Sequence, residues 1–135
     1  LPNLPDSLPP EESISPFKGK TGLRRLVQAW FNSLVGLADA WRGESAFRQE
    51  ILLAAILVPV ACWLRVTPIE RAVLIASVLL VLIVELLNSS VEAAIDRISL
   101  DRHKLSRRAK DLGSAAVLVA LLLLGVVWAL VLLAH

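Results

Sequence analysis

The stretch LLVLIVELLNSSVEAAIDR, residues 79–97, decides the fold. It opens as a segment fit for lipid and then places Glu85, Asn88, Glu92 and Asp96 within a few turns. Taking about 100° per residue, Asn88 falls about −60° from Glu85, Ser89 about +40°, Glu92 about −20° and Asp96 about +20°. These side chains share one arc of roughly 100°, while Leu86, Leu87, Val91, Ala94 and Ile95 cover the rest. A charged residue at the centre of a membrane helix costs roughly 2.5–3.5 kcal/mol on insertion scales, so several in register require partners, water or cations. For Asp96, followed by Arg97, pairing with an arginine is an adequate explanation. Glu85 has no basic residue one or two turns away on its own helix, and that points to function.

The rest of the chain supports a membrane setting. Of 135 residues 56% are hydrophobic, and mean hydropathy is +0.69. A soluble domain of this size cannot bury so much apolar surface, so the excess faces lipid. Fourteen Lys+Arg against 12 Asp+Glu leave a net charge of +2, which argues against nucleic acid as a partner. Cys62, alone in an apolar run, has no internal disulfide partner and reads as a packed core thiol. No secretory signal peptide is expected, because the proline-rich N-terminus lacks an apolar h-region.

Working outward, residues 1–21 read as a disordered proline-rich tail. GKT at 19–21 is not a phosphate-binding loop, because Ile14 stands where that motif needs glycine. The remainder, 22–135, reads as one all-α membrane domain: an amphipathic surface helix over 22–42, then three transmembrane helices. The surface helix carries Leu23, Leu26, Val27, Trp30, Leu34 and Leu37 on one side and Arg24, Arg25, Gln28 and Asn32 on the other. The spans are 46–64, with a kink expected at Pro59, then 69–98 and 111–134. Residues 99–110 read as a polar loop. Pro68 suits the first turn of the second span. Trp30, Trp41, Trp63 and Trp128 read as interfacial anchors or packing, and the terminal His135 as uninformative. The 97–110 stretch holds six basic residues, and the connection 65–71 only Arg65 and Arg71. The positive-inside rule therefore puts the N-terminus and the 99–110 loop in the cytoplasm.

A further acidic residue, Glu44, joins the surface helix to the first span. If Glu44 and Glu92 approach one another, two carboxylates with open water positions suit Mg²⁺, which shares oxygen ligands with nucleotide phosphates. Ser89, Ser90, Ala93 and Ala94 allow close helix approach. Three spans are too few to enclose a polar site comfortably, so oligomerisation is expected to complete it.

Three motifs then become recognisable: GESAFRQE (43–50), IVELLNSSVEAAIDR (83–97) and LSRRAKDLGSAAVL (105–118). In this order and at these separations they closely resemble the prokaryotic integral-membrane diacylglycerol kinases, over about 22–134. The resemblance implies a homotrimer in the bacterial inner membrane that phosphorylates diacylglycerol with MgATP, giving phosphatidic acid and ADP. It places the general base on Glu85, with Asn88 and Lys110 as further catalytic residues. It puts Mg²⁺ on Glu44 and Glu92. Nucleotide contacts fall on Arg25, Asn32, Glu44, Glu92, Asp101, Arg102, His103, Lys110 and Asp111. Lipid-substrate contacts fall on Arg25, on Ala46, Phe47, Arg48, Gln49 and Glu50, and on Glu85 and Ser114. Two positions depart from the family pattern: Asn32, where an aromatic is frequent, and Gln28, where a basic residue is expected.

On this reading Glu85 takes the proton of the lipid's primary hydroxyl as oxygen attacks phosphorus, and Lys110 offsets negative charge on the transferring group. The bare positive-inside role is the plain alternative for Lys110, and a solvated loop histidine for His103. Undecaprenol kinase is the alternative within the same chemistry. From a different class, a small oligomeric ion channel or proton-coupled transporter also explains a polar stripe. It explains less well why the stripe ends at a basic loop and an acidic hinge.

Overall fold

The computed structural model describes residues 22–98 and 103–135. The proline-rich tail and positions 99–102, including Asp101 and Arg102, lie outside the described residues. Four helices follow in order: α1 (Gly22–Gly43), α2 (Ser45–Trp63), α3 (Pro68–Ile98) and α4 (Lys104–Leu133). No strand occurs among the described residues. The described residues divide into two units, one ending at Leu37 and the other running from Ala38 to His135. In the first, α1 presents an uncovered apolar side that includes Leu23, Leu26, Trp30 and Phe31, as a helix lying on a membrane does.

In the second unit α2, α3 and α4 are each long and apolar enough to cross a membrane. At 1.5 Å per residue the 31 residues of α3 reach about 46 Å, beyond the roughly 30 Å of hydrocarbon. α3 is central, packing on both α2 and α4. Its inward side carries Leu74, Ser77, Val78, Val81 and Glu85. Of these, Leu74, Val78 and Val81 form one core with Ala61 of α2 and Ala120, Leu124 and Trp128 of α4. Lipid is as apolar as leucine, so this core is held by close packing and internal hydrogen bonds rather than by escape from water. Ala61, wholly buried, lets α2 approach α3. A larger side chain there would force the helices apart.

One end of this unit is tied down by specific bonds. Thr67 and Glu70 form a capping box at the start of α3: Glu70 N donates to Thr67 Oγ1 and Thr67 N to Glu70 Oε1, both at 3.2 Å. Pro68 is the first helical residue, as expected. Arg71 donates from Nε to the carbonyl of Ala61 (3.1 Å) and from Nη2 to that of Leu64 (2.9 Å), satisfying carbonyls that the end of α2 leaves open. Trp128 Nε1 donates to the Leu74 carbonyl at 3.3 Å. His135 meets Glu70, with Nε2 2.7 Å from Oε2.

Several expectations need correction. α4 starts at Lys104, so most of the 99–110 polar loop is helix. His103 caps it by accepting the Leu105 N–H on Nδ1 at 3.1 Å, and Lys104, Leu105 and Arg107 are good helix formers. Cys62 is exposed on this chain, not packed in its core, because it lies on the outer side of α2 while its neighbour Ala61 faces α3. His135 is not idle, since it joins the end of α4 to the start of α3.

Candidate functional site

The stripe on α3 comes to rest at the opposite end of the unit from Thr67. Glu85 is buried, 4% exposed, beside apolar core residues. The carboxyl of Glu50, one helix away on α2, lies near enough to that of Glu85 for the two to act on each other electrostatically. The charges of Glu44 and Glu92 also bear on Glu85. Four carboxyl groups therefore gather from the start of α2 and the second half of α3. Glu44 occupies the N-cap position of α2 in an extended conformation, yet its side chain makes no capping bond. Among the described residues no group of three or more His, Cys, Asp or Glu is placed to hold a metal ion. Carboxylate oxygens are nonetheless the donor type that Mg²⁺ accepts when it keeps several waters and binds through one or two carboxylates plus substrate phosphates.

Some polar groups here lack partners among the described residues. Glu50 Oε2, Asn88 Oδ1 and Ser89 Oγ are buried without a hydrogen bond. Buried polar atoms are satisfied in the great majority of cases, so three at one end of a small bundle set that end apart from the Thr67 end. Asn88 abuts Gly113 of α4, where a Cβ would overlap Asn88 Oδ1.

α4 contributes charge at the rim. Lys110 Nζ is 2.6 Å from Asp96 Oδ1, both side chains being about half exposed, and Glu92 is near enough for its charge to act on Lys110. Asp96 thus has the structural partner expected of it, on α4 rather than at Arg97. Asp111 is exposed and loosely paired with Arg107 at 4.0 Å. Ser114 is exposed beside Gly113. His103 serves as the cap of α4.

The residues assigned to lipid at the start of α2 divide by role. Phe47 is buried, 3% exposed, and is a packing residue; Ala46 and Glu50 are half-buried and Gln49 exposed. Arg48 donates from Nη1 to the carbonyls of Trp41 (2.7 Å) and Arg42 (3.2 Å), closing the last turn of α1. Arg25 and Asn32 lie on α1 within the first unit, where Asn32 accepts from Gln28 Nε2 at 3.1 Å. Sequence reasoning missed the Glu50–Glu85 pair and the Asn88–Gly113 contact. The available signal was a glycine among LGSAA at the start of a span.

A helical membrane protein with a carboxyl-lined, partly unsatisfied polar site at one end of three spanning helices is the class that fold and site define. The model of the family described as prokaryotic diacylglycerol kinase matches residues 31–132. A diacylglycerol kinase of Pseudomonas aeruginosa is 58% identical over 121 residues, covering 90% of this chain and 98% of that protein. That of Escherichia coli K12 is 50% identical, covering 85% and 94%. That of Haemophilus influenzae is 52% identical, covering 80% and 92%. The chain belongs to the prokaryotic diacylglycerol kinase family.

Proposed function

We propose that the chain transfers the γ-phosphoryl group of ATP to the primary hydroxyl of diacylglycerol, giving phosphatidic acid and ADP. It does so as a homotrimer in the bacterial inner membrane, at the cytoplasmic boundary, with its N-terminus inside. The excess of basic residues at the carboxyl-rich end supports that orientation. One observation carries the reaction: the buried Glu85, reached by three further carboxyls, among buried polar atoms without partners.

Phosphoryl transfer asks a protein mainly to position two reactants and to neutralise charge. Glu85 accepts the hydroxyl proton as the lipid oxygen bonds to the γ-phosphorus and the bond to the departing ADP oxygen breaks. Its burial shields the proton transfer from bulk water. Glu44 and Glu92 would hold Mg²⁺, which when bound supplies positive charge against the nucleotide phosphates. Lys110, freed from Asp96, adds charge on the transferring group from α4. Asn88 orients the reactants from the same face as Glu85. His103, Asp111, Asp101 and Arg102 are assigned to the nucleotide. Ala46 to Glu50 and Ser114 are assigned to the lipid.

The test offers purified protein in detergent micelles γ-labelled ATP with either diacylglycerol or undecaprenol. Label in the lipid fraction with diacylglycerol, at a rate well above that with undecaprenol, is expected. A preference for undecaprenol would reassign the lipid. Label on neither would remove the kinase reading.

A further inference from the structure

Asn88 sits on the reacting face, and its surroundings say how it is held there. Its Oδ1 is buried without a hydrogen-bond partner. That atom does not point into open space. A Cβ placed on Gly113 would overlap it and would come within 3.3 Å of Asn88 Cγ, so the end of the carboxamide rests on bare α4 backbone. Gly22, Gly36, Gly43 and Gly125 each have open space where a Cβ would stand. Among the described residues only Gly113 is required by a close approach. It also lies one turn beyond Lys110 and next to Ser114 on the same helix.

We propose that Gly113 is a positioning residue for phosphoryl transfer: by carrying no side chain it gives the Asn88 carboxamide its place against α4. The inference rests on the assignment of Asn88 to the reaction. The atom in conflict is the far end of a side chain rather than backbone. A methyl group at 113 would therefore swing the amide away instead of prising α3 from α4. Alanine is also the better helix former, so the local helix gains where the site loses. Displacement of an orienting group by about 1 Å can cost on the order of 100-fold in rate.

The experiment is a double-mutant cycle in the full chain, with diacylglycerol and MgATP as substrates: parent, Gly113→Ala, Asn88→Ala and the double variant. Helicity and thermal unfolding are recorded in the same detergent. Gly113→Ala is expected to lower kcat between roughly 10- and 100-fold with little change in KM for either substrate and no loss of thermal stability. In the Asn88→Ala background the same substitution is expected to cost nothing further, because two changes acting through one contact are not additive. An equal factor lost in both backgrounds, or no loss in the parent, overturns the proposal. So does failure of Gly113→Ala to fold in both backgrounds; folding restored by Asn88→Ala would support the contact. Full activity of Asn88→Ala overturns it differently, by removing Asn88 from the reaction while leaving the packing of Gly113 untouched.

Discussion

The two ends of the three-span unit are built on opposite principles. At the Thr67 end, Glu70 closes a capping box and meets His135, Arg71 ties off two carbonyls of α2, and Trp128 bonds the Leu74 carbonyl. At the Glu85 end, carboxyls from α2 and α3 crowd together, and three buried polar atoms have no partner. The same helices run through both ends, so local propensity does not explain the contrast. A fold tolerates unsatisfied polar groups where the site needs them and offsets them elsewhere. One end holds the bundle, and the other is where substrates are proposed to meet.

Breaking each end should have a distinct signature. The largest effect is expected from Glu85→Gln, which keeps the side-chain shape and removes the proposed base. Turnover should fall by roughly 10² to 10⁴, measured as label transferred to diacylglycerol. Near-normal turnover with an intact oligomer would exclude the role. Next comes Glu92→Gln, which under the proposed roles leaves Glu44 to hold the metal alone. The Mg²⁺ concentration for half-maximal activity should rise roughly tenfold or more, and an unchanged Mg²⁺ titration would count against it.

Arg71→Leu, at the opposite end, should behave the other way. It frees two carbonyls that a charged donor satisfies, and should lower unfolding stability by roughly 2 kcal/mol while the folded fraction keeps its turnover. The smallest effect is expected from Asp96→Asn. Its ion pair with Lys110 is about half exposed, so thermal unfolding should barely move. A large destabilisation would show that the pair, rather than the surrounding packing, joins α3 to α4 there.

The contrast between the ends was legible in the sequence only in part. The helices and the stripe followed from the spacing of Glu85, Asn88 and Glu92 within an apolar run, and Pro68 marked the start of α3 because its ring suits a first helical turn. Contacts between helices were not legible. The period within α3 says which residues share a side, not which residue of α2 or α4 they meet. So Glu50 facing Glu85, and Asn88 lying on Gly113, needed the structure. Cys62 was misplaced for a related reason: a helix apolar all round does not declare its packed side. Arg71 entered the reading only as charge for orientation, because a side chain that bonds carbonyls leaves no sequence pattern.

The central claim is that the Glu85 end trades stability for chemistry, and thermal unfolding of Glu85→Gln beside the parent in one detergent tests it most directly. Removing one acid from a crowd of carboxyls is expected to leave the melting temperature unchanged or higher. A melt lowered as far as that of Arg71→Leu would contradict the account, because Glu85 would then be holding the bundle together.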